Sequence, residues 1–124
     1  MFQFPKKQRL CGEKKINSLF NYGNSVTEHP LRVIYKTQKS KDNVAVKTLI
    51  IVSKKRIRRA VDRNLIKRRI REAYRVNQKS LESFLHSKNS QINIALIYQK
   101  KEITNYHVIE EKINLILSRL IKEL

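Results

Sequence analysis

The chain has 124 residues, enough for one hydrophobic core and too few for two, and sets 28 Lys and Arg against 10 Asp and Glu, a formal net charge of +18. With 40% hydrophobic residues it reads as a folded domain under strong self-repulsion, which points to a polyanionic partner. One cysteine excludes an internal disulfide and a cysteine zinc site, two glycines supply no Gly-rich phosphate loop, and no apolar run approaches the roughly 20 residues that span a bilayer.

Residues 1–10 are expected to form a loose basic arm, because Pro5 blocks an early helix and Lys6, Lys7 and Arg9 carry charge. No apolar stretch follows those charges, so a secretory signal is not expected. Ile16, Leu19 and Phe20 recur at helical spacing and predict a short helix over Glu13–Tyr22, stopped by Gly23. Residues 24–30 read as a turn. In Leu31–Thr37, Leu31, Val33 and Tyr35 alternate with Arg32, Ile34 and Lys36, the period of a strand. A polar turn over 38–43 leads to another strand over 44–52, apolar on both faces at Leu49, Ile50, Ile51 and Val52, as a strand covered from both sides would be.

From about Arg59 a long helix is expected. At 100° per residue, Ile66, Ile70, Ala73 and Tyr74 fall within an arc of about 100° and make a core-facing stripe. Residues 78–87, with Leu81, Phe84 and Leu85, add a helical piece or continue that helix. Residues 88–91 turn, and Ile92–Tyr98 alternates as a further strand. Thr104 is the expected cap of a last helix, whose stripe Ile109, Ile113, Ile116, Leu117, Leu120, Ile121 and Leu124 is regular to the end. The order is helix, two or three strands, long basic helix, strand, helix: an α+β chain forming one domain over residues 1–124.

The charge is not spread evenly. Between residues 54 and 75, eleven basic residues stand against Asp62 and Glu72 alone, so half the net charge sits in 22 residues. Arg63, Lys67, Arg71 and Arg75 follow one another at i, i+4, with Asn64 and Arg68 beside them, a ridge about 18 Å long. A face built only for solubility would interleave both signs. This one is mostly arginine, whose planar fork grips phosphate bidentately. Nucleic acid is the expected partner, with Lys54, Lys55, Arg56 and Arg59 extending the surface, and Lys6, Lys7 and Arg9 adding to it. Ile16, Phe20 and Tyr35 either complete the core or stack on an unpaired base. No catalytic or metal-ligating set is expected: His29, His86 and His107 fall in three different elements, and Asp42, Asp62 and Glu72 are isolated among cations. Cys11 reads as a bystander beside the first helix.

The run Val52-Ser-Lys-Lys-Arg-Ile-Arg-Arg-Ala-Val-Asp-Arg-Asn-Leu-Ile-Lys-Arg-Arg-Ile-Arg-Glu72 resembles the signature of the bacterial ribonuclease P protein subunit, which has Ser-Lys-Lys, Ala-Val, Arg-Asn-Arg, Lys-Arg and a further Arg on one long helix. Lys6-Lys-Gln-Arg-Leu10, the spacing of Ile16, Phe20 and Gly23, and Val33-Ile-Tyr35 follow in the family's order. Two departures stand out. Arg58-Arg59 replaces a usual Gly-Asn before Ala60, and Leu65 takes the third place of Arg-Asn-Arg, turned away from the ridge by the angular count.

The resemblance implies a compact two-layer α/β sandwich with a central cleft and a long basic helix. It also implies a function: the protein cofactor of a cytoplasmic ribozyme that removes the 5′ leader of precursor tRNA. In that family the RNA subunit holds the catalytic Mg2+ and the protein supplies no catalytic side chain, organic cofactor or membrane contact, and needs no protein oligomer. Carried onto this sequence, Ile16, Phe20 and Tyr35 would floor the leader cleft. Arg63, Asn64, Lys67, Arg68, Arg71 and Arg75 would meet the catalytic RNA and the leader. Two other readings stand beside it: a ribosomal protein or assembly factor, and a DNA-binding regulator with its basic helix in a major groove, the latter without an evident helix-turn-helix pair.

Overall fold

A computed structural model describes residues 8–39 and 42–124. Its elements run α1 (Glu13–Tyr22), β1 (Asn24–Glu28), β2 (Leu31–Thr37), β3 (Val46–Val52), α2 (Ala60–Asn77), α3 (Lys79–Ser87), β4 (Ile92–Tyr98) and α4 (Tyr106–Glu123). The strands form one sheet in the order β1-β2-β4-β3. β1 and β4 lie antiparallel to β2, whereas β3 and β4 are parallel, so α2 and α3 form the crossover that a parallel pair requires.

The alternation seen in the sequence sorts side chains between two apolar layers. On one face Leu31, Val33 and Tyr35 of β2 and Ile92, Ile94, Leu96 and Tyr98 of β4 join the stripes of α2 and α4 in the main core. Ile66, Ile70, Ala73 and Tyr74 are the buried residues of α2, the four that the angular count selects. On the other face Ile34 and Ala95 meet Leu19 of α1 and Leu10 in a smaller layer, with Ile16, Leu49 and Ile97 half-buried against it. Central position explains why β2 and β4 are buried on both sides.

Four local expectations are corrected. The strand expected over 44–52 spans Val46–Val52 and is not covered from both sides: it is the sheet edge beside β4, and Leu49, Ile50 and Ile51 are half-buried. Residues 24–30 are not all turn: 24–28 form β1, an edge strand in which only Val26 is buried, opposite Val33. Its pairing comes from β2 rather than from its own polar sequence. The cap of α4 is Asn105, whose Oδ1 accepts from the Val108 N–H at 3.0 Å. Thr104 is instead buried, its Oγ1 2.6 Å from the Tyr98 hydroxyl. The arm is anchored at its end, because Leu10 is buried and its N–H donates to the Thr48 carbonyl at 2.9 Å, beside an Arg9–Thr48 bridge. Lys6 and Lys7 lie outside the described residues.

Gly23 ends α1 as expected, its N–H donating to the Leu19 carbonyl at 2.9 Å. A Cβ there would meet that carbonyl oxygen and come within 2.8 Å of the Ile34 Cγ2, so close approach of α1 to β2 requires glycine.

Candidate RNA interface

Because α2 buries one stripe against the main core, its remaining faces are fixed. Lys67 and Arg71 lean to the β3 side, where they line a groove of about 330 Å³ with Arg9, Leu10, Cys11 and Leu49. Asn64 and Arg68 are exposed on the helix. Arg69, on the opposite flank, donates from Nη1 to the Thr104 carbonyl at 2.7 Å.

The predicted ridge is therefore continuous in sequence but divided in use. Arg63 is half-buried, and its Nη1 donates to the carbonyls of Ile57 and Arg58 at 3.0 and 2.7 Å, bracing the turn ahead of α2. Arg75 forms a two-pronged pair with Glu72, at 3.0 Å from Nε and 2.5 Å from Nη2. That guanidinium's hydrogen bonds hold the Glu72 carboxyl below the usual carboxylate range, and the carboxylate in turn raises the arginine. Lys54, Lys55, Arg56 and Arg59 are all exposed around the turn between β3 and α2. Arg56 additionally reaches the Gln99 carbonyl from Nη1 at 3.0 Å.

The expected cleft trio is not brought together. Tyr35 is 5% exposed and sits in the main core, on the sheet face opposite Ile16. Strand alternation is the cause: Tyr35 shares a side with Leu31 and Val33, while Ile34 takes the α1 side. Burial raises the Tyr35 phenol above its ordinary pKa, and Glu123 of α4 adds to the rise, in keeping with that placement. Ile16 and Phe20 remain on one flank of α1, one helical turn apart. Phe20 is exposed, while Leu49, Ile51 and Ile97 are half-buried on the same face of the sheet. α1 packs on β2 and β4, which leaves the β3 side of this face more open.

Leu10 and Leu49 belong both to the apolar layer beneath α1 and to the groove under Lys67 and Arg71. An apolar floor thus runs into a basic wall. Sequence reading missed one further aromatic, Tyr22, which is 76% exposed on the other flank of α1. Lys36 lies 5.6 Å from its ring centroid and donates to the Ser18 hydroxyl at 2.5 Å. Its signal, an aromatic one turn past Ser18 and off the apolar stripe, is weak in sequence alone.

Residues 4–120 match the family model described as Ribonuclease P. The chain belongs to that family. Family relatives named ribonuclease P protein component include that of Porphyromonas gingivalis W83, 35% identical over 120 residues and covering 96% of this chain and 87% of the relative. The one from Chlorobaculum tepidum is 31% identical over 104 residues, 78% of this chain and 68% of the relative. Among solved structures, a Staphylococcus aureus RNase P protein mutant with defective mRNA degradation activity superposes with a TM-score of 0.74 at 26% identity, covering 93% of this chain and 89% of that one. The RNase P protein of Thermotoga maritima superposes with a TM-score of 0.67 at 23% identity, over 94% of this chain and 96% of that one, and shares the fold.

At the two departures from the ribonuclease P signature the structure is tolerant. Leu65 is half-buried on α2, away from Lys67 and Arg71, so no ridge cation is displaced by it. Arg58 and Arg59 are exposed, where added charge meets solvent rather than core.

Proposed function

We propose that this chain is the RNA-binding protein subunit of ribonuclease P, assisting removal of the 5′ leader from precursor tRNA in the cytoplasm. The observation that carries the reading is the continuity of the apolar floor beside Ile16 and Phe20 with the groove under Lys67 and Arg71. Unpaired bases of a leader would rest against the apolar floor and Phe20, with their phosphates against the basic wall. Asn64, Arg68 and the exposed cations at 54–59 would meet the catalytic RNA, with Arg63 acting mainly by holding that turn in place. Lys6, Lys7 and Arg9 would extend the surface.

The protein's part in this reading is binding and charge neutralisation. Among the described residues no three His, Cys, Asp or Glu side chains converge to hold a metal ion, and Mg2+ is assigned to the RNA subunit, where it would supply the hydrolytic chemistry. No helix among the described residues is long and apolar enough to cross a membrane. A protein of charge +18 lowers the repulsion between two RNAs, and so the Mg2+ needed to bring them together.

The test is reconstitution with bacterial ribonuclease P RNA at low Mg2+. Leader removal should be stimulated, and the holoenzyme should bind precursor tRNA more tightly than mature tRNA. Equal affinities would remove the leader-binding claim. Absence of stimulation would favour a ribosomal RNA partner instead.

A further inference from the structure

Ile16 and the apolar floor beneath it occupy one flank of α1. Ser18 and Tyr22, four residues apart, stand one turn over the other on the opposite flank, across the helix from Ile16 and Phe20. Tyr22 is 76% exposed, more than any other large apolar side chain among the described residues. A single aromatic in water calls for no explanation by itself. This one is fixed from below. Gly23 seats the end of α1 so close to β2 that a Cβ would meet the Leu19 carbonyl and the Ile34 methyl, which holds the backbone beside the ring in place.

β2 supplies the charge. Lys36 shares the α1 side of that strand with Ile34, two residues before it, so its ammonium rises beside the helix. Nζ donates to the Ser18 hydroxyl at 2.5 Å and lies over the Tyr22 ring, 5.6 Å from its centroid. One hydroxyl takes only one of the three ammonium donors, so a positioned cation keeps donors for an anion. Around the pair, α1 and β2 carry Lys14, Lys15, Arg32 and Lys36 against Glu13 as their one carboxylate. An unpaired nucleotide offers a flat base and a phosphate, and both have a counterpart here.

We propose that Tyr22 and Lys36 form a binding site for one unpaired RNA nucleotide, its base stacked on the phenol ring and its phosphate on the ammonium. The inference rests on the RNA-binding reading above and names a recognition residue outside the Ile16 and Phe20 floor. RNA is favoured over an acidic protein by what surrounds the ring. Its neighbours Ser18, Asn21 and Lys36 are polar or charged, so no apolar surface extends the contact as the core of a protein interface requires. A base needs only the single ring, whose few rotatable bonds make it a low-entropy platform. Leader and catalytic RNA both offer unpaired nucleotides, and the order of addition tells the two sources apart.

The chain contains no tryptophan, so Tyr22→Trp places a unique fluorophore at the site. The full-length variant is titrated with ribonuclease P RNA and then with precursor tRNA. Stacking on a base should quench the indole, at the first addition for a nucleotide of the catalytic RNA and only at the second for one of the leader. Tyr22→Ala should weaken the binding step that quenches by roughly 5- to 150-fold, the loss of one base–aromatic stack, whereas Tyr22→Phe keeps the ring and the affinity. Lys36→Gln should lower the salt slope of that step by roughly 0.7, one phosphate contact on a single strand. Binding of both RNAs without quenching, or wild-type affinity in Tyr22→Ala, overturns the nucleotide site and leaves this flank to a protein partner. A wild type that binds neither RNA would instead defeat the RNA-binding reading itself, so the two failures are distinguishable.

Discussion

Arg63, Lys67, Arg71 and Arg75 share one helix at four-residue spacing, yet their neighbours give them different roles. Arg63 braces a turn, Arg75 is tied to Glu72, and Lys67 and Arg71 line a groove. Charge type and spacing were legible in the sequence; the partners of each guanidinium depended on carbonyls and carboxylates brought near by folding. Gly23 shows the same scale from the steric side. Its role as a stop was readable, but the Ile34 methyl lying against it was not. Gly23→Ala should cost about 1–3 kcal/mol of folding free energy, the usual range for overpacking. Urea unfolding measures it, and an unchanged midpoint would contradict the steric need for glycine against the Leu19 carbonyl and the Ile34 methyl.

Helices and strands with a strong apolar period matched their expected bounds closely. α1 spans Glu13–Tyr22, β2 Leu31–Thr37 and β4 Ile92–Tyr98, and α2 starts at Ala60 with the expected buried stripe. The misses are elements whose formation depends on a neighbour. β1 has one buried apolar residue and exists because β2 offers it an antiparallel partner. The cap of α4 shifted by one residue because the Tyr98 hydroxyl lies against Thr104. α2 offers a test at this scale. Lys67→Ala should reduce the salt slope of RNA binding by roughly 0.7 to 0.9 while leaving the melting temperature nearly unchanged. Arg63→Ala should instead lower the melting temperature, because the Ile57 and Arg58 carbonyls lose their charged donor. Equal melting temperatures for the two variants would remove the bracing role.

For the molecule as a whole, burial acts on its tyrosines together. Tyr35, Tyr74, Tyr98 and Tyr106 all have phenols raised above the ordinary value, with desolvation the largest cause in each. The sign follows from proton counting. Above pH ~10 the unfolded chain releases phenolic protons that the folded chain still holds, so stability is present below that pH and is lost as pH rises through the folded values. Unfolding free energy measured from pH 8 to 11 should fall, and Tyr74→Phe should make the fall shallower. A flat profile for the wild type would contradict the burial of these phenols.

Periodicity along the chain determined by itself that the protein is one α+β domain, which stripes α2 and α4 bury, and that its charge is concentrated on one helix. Helix and strand geometry fix side-chain directions within an element, so local spacing suffices for that much. Tertiary structure alone decided which sheet face each stripe meets. It set Tyr35 against α4 and away from Ile16, and it joined the apolar floor to Lys67 and Arg71. These outcomes depend on strand order and on contacts between residues tens of positions apart, which no local period encodes.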